Sequence, residues 1–392
     1  MKEVLLAKYG ELALKGLNKG TFEAAMLKTI KRRMAVAGEF DVKKAQSTVY
    51  IEPKNEDADV DKACEMLRRV FGISAINRAL LTFKDFDIIC QNVVEYLKTD
   101  LAKARTFKVS AKRSDKSFHM NSMELACEVG GYILERFPNL EVKMDDPDLN
   151  VVVEIREYGA YIHKGKIEAA GGMPTGTSGR AAVMISGGID SPVAAWMMAK
   201  RGVDLCGIHF MSPPYTSEAA LDKVVRLSSI VSRWSGNFVL TCVPFTETQV
   251  LIRDNCPPDL FTVLMRRSMV RISEMICEKE HCEALITGES LAQVASQTLL
   301  AIKCTDEAAT IPVLRPLIGM DKLEITAIAR RIGTFDTSIE PFEDCCTIFT
   351  PKHPKTKPKI DEVLAAESAV DLSSAERAAA ESYTVKVMHF FD

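Results

Sequence analysis

The sequence predicts an α/β fold built on a doubly wound parallel sheet, preceded by an α+β region. Three observations predict it. Beyond about residue 180 the chain alternates short apolar strands with longer amphipathic helices, a rhythm that produces parallel strands covered by helices on both faces. Before about residue 170 the helices are interleaved with strands of the half-buried, hairpin-forming kind. Between the two lies AGGMPTGTSGR at 170–180, a run of Gly, Ser, Thr and Pro that suits a domain boundary.

Residues 3–9 (EVLLAKY) predict the first strand. Residues 21–37 predict an amphipathic helix, with Phe22, Met26, Ile30 and Met34 recurring every four positions and Gly38 placed to end it. Residues 47–53 predict a second strand, and 57–72 a second helix ended by Gly72. This β-α-β-α order suggests a small ferredoxin-like unit up to about residue 76. In the next unit, helices are expected over 86–102 and 120–136 and strands over 105–112 and 140–145. A hairpin follows over 150–166, where Val151, Val153 and Ile155 alternate. The strands of the α/β region are expected at 182–186, 203–210, 238–243 and 283–288, separated by helices near 191–201, 217–235 and 260–279. A Pro/Lys-rich loop (351–359) and a last helix near 373–387 close the chain.

Composition narrows the class. The 392 residues suit two or three domains, and 47% hydrophobic with 26% charged residues excludes wholesale disorder. A net charge of −3 is no bulk signature of nucleic-acid binding, so any such argument rests on local clusters. The eleven cysteines form no C-x-x-C pair and no zinc spacing, which fits a reducing cytoplasm better than a disulfide framework. The N-terminus meets charge too soon for a signal peptide, and no apolar run is long enough to span a membrane.

The strongest chemical signal is SGGIDSP at 186–192, set between a predicted strand and a predicted helix. Gly187 and Gly188 permit a backbone path that side chains would block. Their N–H groups can cup a phosphate beside the positive end of the next helix. Ser186 and Ser191 can add hydroxyl donors. Asp190 would repel a phosphate and makes sense as a ligand for Mg²⁺ or as an orienter of the loop. The plain alternative is a tight turn with N-capping serines. No G-x-x-x-x-G-K-[ST] occurs, which argues against a loop that cuts at the γ-phosphate.

The SGGIDS string resembles the PP-loop of the ATP pyrophosphatase superfamily, whose members cleave ATP between the α- and β-phosphates and use the adenylyl group to activate a carbonyl. Further blocks are KYGELALKGLNKGTF (8–22), GGMPTGTSGR (171–180), LITGESLAQVASQTL (285–299), LRPLIGMDKLEI (314–325) and PFEDCCTIFTPKHPKTKP (341–358). In order and spread they resemble the tRNA 4-thiouridine synthetase family, the tRNA sulfurtransferases. The resemblance implies a ferredoxin-like domain at 1–76, a THUMP RNA-binding domain at 77–170 and a PP-loop ATP pyrophosphatase domain at 171–392. It implies that ATP, with Mg²⁺, adenylates the uridine at position eight of tRNA and that sulfur then replaces the carbonyl oxygen. It places ATP on Met184, Ile185, Ser186, Gly187, Gly188, Ser191, His209, Phe210, Arg266, Gly288 and Gln297, gives Lys322 a phosphate or transition-state role, and aligns the catalytic cysteine with Cys345. For His209, Arg266 and Lys322 the plain alternatives are a satisfied strand-end histidine, a solvated helix charge and a surface lysine.

Cys345 and Cys346 follow Glu343 and Asp344 and precede Lys352, His353, Lys355, Lys357 and Lys359; nearby positive charge would lower a thiol's pKa. Longer family members carry a rhodanese domain whose cysteine bears the persulfide. This chain stops at Asp392, too soon for one, so a cysteine desulfurase is the expected sulfur donor and Cys206 a candidate resolving thiol. Candidate RNA patches are KTIKRR (28–33), FKVSAKRSDKSF (107–118), flanked by Phe107 and Phe118, and the 352–359 lysines. The resemblance leaves open a homodimer and a second acceptor, a small sulfur-carrier protein of thiamine thiazole synthesis. Two rivals stand beside it: another PP-loop tRNA thiolase, such as a 2-thiouridine synthetase, and a non-catalytic tRNA-binding THUMP protein.

Overall fold

The structure, a computed structural model, describes residues 2–342, 345 and 348–391. It divides into two compact units, Met1–Met173 and Pro174–Asp392.

The first unit opens with β1 (Lys2–Tyr9), α1 (Lys19–Ala37), β2 (Phe40–Ala45), β3 (Thr48–Pro53), α2 (Val60–Arg68) and β4 (Ile73–Thr82). It continues through α3 (Phe86–Tyr96), α4 (Lys98–Lys103), β5 (Thr106–Arg113), α5 (Ser122–Arg136), β6 (Glu141–Val142), β7 (Leu149–Arg156), β8 (Gly159–His163) and β9 (Ile167–Glu168). The strands form one sheet in the order β2-β3-β1-β4-β8-β7-β5-β6, with β9 beside β4. Strand β2 is absent from the β-α-β-α expectation because FDVKKA is a half-exposed edge strand with little apolar alternation. Strand β4 crosses the expected boundary at 76 and pairs with β1 on one side and β8 on the other.

Alternation along β1 assigns its two faces. Leu5, Ala7 and Tyr9 pack with Met26, Ile30 and Met34 of α1 and Leu67 of α2. Val4 and Leu6 turn to the other face, where they meet Tyr50, Ala79 and Tyr161, a cluster drawn from strand residues alone. Phe107 and Phe118, expected to flank a basic patch, lie in the core instead, because Phe107 points to the face of β5 opposite Lys108. Arg33 of the 28–33 patch is also buried, and burial pushes its guanidinium down to about 9.

The second unit contains β10 (Arg180–Met184), α6 (Asp190–Lys200), β11 (Asp204–Met211), α7 (Glu218–Ser235), β12 (Phe238–Pro244), α8 (Thr246–Asn255), α9 (Phe261–Glu280) and β13 (Ala284–Ile286). Then come α10 (Leu299–Asp306), β14 (Val313–Leu314), α11 (Lys322–Ile332), α12 (Phe335–Ser338), α13 (Ile360–Ser368), α14 (Ser373–Glu381) and β15 (Thr384–Met388). The sheet order is β14-β13-β10-β11-β12-β15. The first five strands are parallel, and β15 runs antiparallel to β12. From β10 the chain builds outward through β11 and β12, then returns to the other side of β10 for β13. The order therefore reverses between β10 and β13, where the carboxyl ends of the strands open a crevice. The last helix expected over 373–387 is corrected: it ends at Glu381, and TVKVM becomes an edge strand whose Val385 and Val387 are about half exposed. Among the described residues no helix is long and apolar enough to cross a membrane.

Helix α9 anchors the C-terminal helices by charge as well as packing. Arg267 and Arg271, four residues apart, share one helix face. Arg267 Nη2 lies 2.8 Å from Glu367 of α13, and Arg271 Nη2 lies 2.6 Å from Glu376 of α14. Ser268 also donates to Glu376, at 2.6 Å. Both tryptophans, Trp196 and Trp234, stand edge to face in this unit, so their fluorescence reports its unfolding alone. Glu376→Ala should destabilise the unit by about 3 kcal/mol, the low end for breaking a buried pair, because Arg271 keeps Glu367. A tryptophan-monitored urea midpoint equal to wild type would show that the pair contributes nothing.

Candidate active site

The β10/β13 crevice is lined by Met184, Ile185, Ser186, Gly188, Asp190, Ser191, His209, Phe210, Arg266, Gly288, Gln297 and Cys345. Gly187 lies within the same loop. Residues drawn from five separated stretches of sequence thus converge on one pocket.

The loop from β10 to α6 is held from within. Ser186 N–H donates to Ser191 Oγ at 2.9 Å, and the two hydroxyls stand 3.2 Å apart. No side chain caps the first turn of α6, whose positive end faces the crevice and favours an anion. The end of β13 closes the other wall. A Cβ on Gly288 would lie 2.7 Å from Ser191 N and 2.9 Å from the Asp190 carbonyl carbon, so only glycine admits this approach. The His209 ring is buried with Nδ1 3.1 Å from the Ile185 carbonyl. A carbonyl only accepts, so Nδ1 carries the proton.

Sequence reasoning missed Glu289, the residue that organises the cations of the pocket. It is 2% exposed, accepts from Arg266, and accepts from Arg315 Nε at 2.6 Å and Thr287 Oγ1 at 2.9 Å. Burial alone would raise its pKa; the charges of Arg266 and Arg315 outweigh that and hold the carboxyl below the usual range. Glu289 lies within LITGESLAQ, but a glutamate beside a phosphate loop carries no local signal of buried partners 23 and 26 residues away.

Asp190 is engaged on both oxygens. Lys322 Nζ donates to Oδ1 at 2.9 Å and Gln293 Nε2 to Oδ2 at 2.9 Å. Among the described residues no cluster of three or more His, Cys, Asp or Glu could hold a metal ion. The donor set suits a cation that arrives on phosphate oxygens and takes one carboxylate, the usual habit of Mg²⁺. The Gln297 side-chain oxygen is buried without a hydrogen-bond partner, and Met184, Ile208, Phe210, Met269, Val270 and Val313 supply apolar walls. A flat heteroaromatic ring with exocyclic donors matches both features.

Cys345 is 4% exposed and lines the pocket. Its carbonyl accepts from Gln249 Nε2 at 2.9 Å, and Gln249 Oε1 accepts from Ser212 at 2.5 Å, so a buried amide unforeseen from sequence fixes the cysteine's backbone. Lys355 of the following loop pairs with Glu362 at 2.7 Å, with Asp259 at 3.9 Å. Glu343, Asp344 and Cys346 lie outside the described residues. Cys206 does not line the pocket: its sulfur sits 3.3 Å from Cys282. It precedes His209 by three strand residues, roughly 10 Å toward the amino end of the sheet.

Comparisons with known proteins bear on the family and the fold. The family described as "Thiamine biosynthesis protein (ThiI)" matches residues 176–372, the "ThiI ferredoxin-like domain" 4–77 and the "THUMP domain" 83–163. Relatives named probable tRNA sulfurtransferase include two that match along nearly their whole length. The one from Acetivibrio thermocellus is 45% identical over 98% of both chains. The one from Thermoanaerobacter pseudethanolicus is 48% identical over 95% of this chain and 96% of its own. A crystal structure of a 4-thiouridine synthetase–RNA complex with bound ATP superposes with a TM-score of 0.91 at 36% identity, covering 99% of this chain and 100% of that one.

Glu289→Gln removes the charge that neutralises two guanidinium groups and should destabilise the second unit by about 3 kcal/mol. Because the folded carboxyl titrates below its ordinary value of 4.5, its contribution is complete above that value and fades as pH falls through the lower folded one. The stability gap between wild type and variant, read by tryptophan fluorescence, is therefore expected to stay constant from about pH 8 to pH 5 and to close only in more acid solution. A gap that closes near neutrality would contradict the assignment.

Proposed function

Because the chain belongs to the tRNA sulfurtransferase family with ferredoxin-like, THUMP and ThiI domains, we propose that it adenylates uridine eight of tRNA with ATP and converts it to 4-thiouridine. One observation carries the reading: the phosphate-loop residues and Cys345 line a single pocket. Activation and sulfur delivery can then act on the same atom.

The steps balance as follows. The uridine carbonyl oxygen attacks the α-phosphorus of ATP, and pyrophosphate leaves with the bonding pair. The N–H groups of the 186–191 loop and the α6 amino end hold the phosphates, where fixed donors stabilise developing charge without reorganising. Arg266, braced by Glu289, adds a cation on the opposite wall. Asp190 would hold Mg²⁺ together with phosphate oxygens, and that charge would help pyrophosphate depart. Lys322, which donates to Asp190, is then within reach of the same phosphates. Adenylation turns an oxygen that leaves badly into AMP. A persulfide on Cys345, loaded by a cysteine desulfurase, attacks the activated carbon through its outer sulfur, and AMP departs with the C–O bonding pair. A thiol then attacks Cys345 Sγ, the S–S bond breaks and the outer sulfur stays on uridine. The mixed disulfide left on Cys345 is cleared by a further thiol. The buried setting of Cys345 limits the access of water to the persulfide.

A cytoplasmic site of action fits a tRNA substrate and this many thiols. Transfer of the same sulfur to a small sulfur-carrier protein is a second outlet open to the same chemistry.

Two measurements test the reading. With unmodified tRNA, ATP and a desulfurase–cysteine donor, the products should be AMP, pyrophosphate and thiolated uridine; release of ADP, or no turnover, would remove it. In single turnover, Cys345→Ser should lose thiolation by about a hundredfold or more, as expected when a covalent carrier is deleted, yet retain ATP binding and pyrophosphate release. Thiolation by that variant at the wild-type rate would show that Cys345 is not the sulfur carrier.

A further inference from the structure

Three thiols meet toward the amino end of the parallel sheet. Cys206 stands on β11, Cys277 in the last turn of α9 and Cys282 in the short link from α9 to β13. All three belong to one apolar core cluster, and none of them lines the crevice.

The local backbone assembles the group. Helix α9 ends on His281 in the left-handed conformation, with φ of 55°. The chain then doubles back, and Cys282 N–H donates to the Cys277 carbonyl at 2.8 Å. Pairing of β10 with both of its neighbours brings Cys206 alongside: Ala182 is partnered by Cys206 on one side and by Leu285 on the other. The Cys206 and Cys282 sulfurs end 3.3 Å apart. A disulfide needs about 2.05 Å, so a shift of about 1.2 Å closes the gap.

The three thiols differ in access and in charge. Cys206 and Cys277 are 1% exposed, and Cys282 is 8% exposed. Hydrogen bonds from Cys206 and from Cys277, with further help from Arg180 and His281, hold the Cys282 thiol below its ordinary range although burial opposes this. Cys206 and Cys277 shift the other way and stay protonated. The most accessible sulfur of the group is therefore the one favoured as thiolate, and a protonated thiol lies against it.

We propose that Cys282 is an oxidation site for small hydroperoxides and that Cys206 is its resolving thiol. The Cys282 thiolate attacks one peroxide oxygen. The O–O bond breaks, the other oxygen leaves with the bonding pair and is protonated, and Cys282 becomes a sulfenic acid. The Cys206 sulfur then attacks the Cys282 sulfur. The S–O bond breaks, and the departing hydroxide takes the Cys206 proton and leaves as water. The two thiols lose two electrons and the peroxide gains them. A small dithiol reverses the bond by exchange. The crosslink ties β11 to the link before β13, across β10 from one another.

The test treats the full chain with one equivalent of hydrogen peroxide, blocks the remaining thiols and maps tryptic peptides. Lysines and arginines place Cys206, Cys277 and Cys282 on separate peptides. A Cys206–Cys282 crosslink is expected to form about tenfold faster than oxidation of the exposed Cys127, because a depressed pKa raises the thiolate fraction. Dithiothreitol should remove it. Cys206→Ser should leave Cys282 as a sulfenic acid that a cyclic dione traps, and Cys282→Ser should abolish the crosslink. The oxidised wild type should unfold at a higher urea concentration by tryptophan fluorescence, since the bond joins cysteines 76 positions apart in the unfolded chain. Oxidation of Cys127 ahead of Cys282 would overturn the proposal. A Cys277–Cys282 crosslink would overturn the resolving role of Cys206, and a lowered urea midpoint would overturn the fit of the bond to the native fold. The wild-type measurements stand whether or not the serine variants fold.

Discussion

At Gly288 two stretches of backbone touch where no side chain fits. A Cβ there would collide with Ser191 N and the carbonyl carbon of Asp190, so the end of β13 rests directly against the first turn of α6. That contact narrows the crevice left where the strand order reverses. It also places Glu289, the next residue, beside the phosphate loop, and through Glu289 it places Arg266 and Arg315. A larger residue at 288 would push the strand end from the helix and unseat the cations together with the loop.

Buried and part-buried carboxylates recur as organisers of positive charge. Glu289 does this in the crevice, Glu367 and Glu376 along α9, and Glu154 on the sheet of the first unit. A buried carboxylate alone is costly, but with two or three cations around it its desolvation is offset and its partners lose their freedom to wander. In the α9 network the consequence is structural. In the crevice the same physics leaves guanidinium groups fixed next to space that an anion can enter.

The thiol and the phosphate loop are brought together by different means. The loop is a local structure, closed by hydrogen bonds between Ser186 and Ser191. Cys345 comes from a segment far along the chain, and its carbonyl is held by Gln249, itself held by Ser212. Asp190 joins a third stretch and a fourth through Lys322 and Gln293.

Local pattern was enough for much of this. The alternation of apolar strands and amphipathic helices beyond residue 180 determined a parallel α/β sheet, and SGGIDSP determined a glycine turn between strand and helix, because both depend on residues within one or two turns of each other. The four-residue spacing of Met26, Ile30 and Met34 likewise determined the buried face of α1. Local pattern failed where partners are distant. The edge strands β2 and β15 are not legible as strands, since only one edge of each is paired, much of their surface meets water, and the alternating valines of β15 stay half exposed. Phe107 and Phe118 looked like groups flanking a basic patch, but the pleat of β5 turns Phe107 inward and Phe118, in the turn beyond β5, is buried as well. Cys206 looked like a thiol near the site until strand geometry set it roughly three residues too far toward the amino end. Glu289, Gln249 and Glu154 carried no signal at all. A buried polar side chain takes its role from the charges and dipoles around it, and those are assembled only when strands far apart in sequence lie side by side.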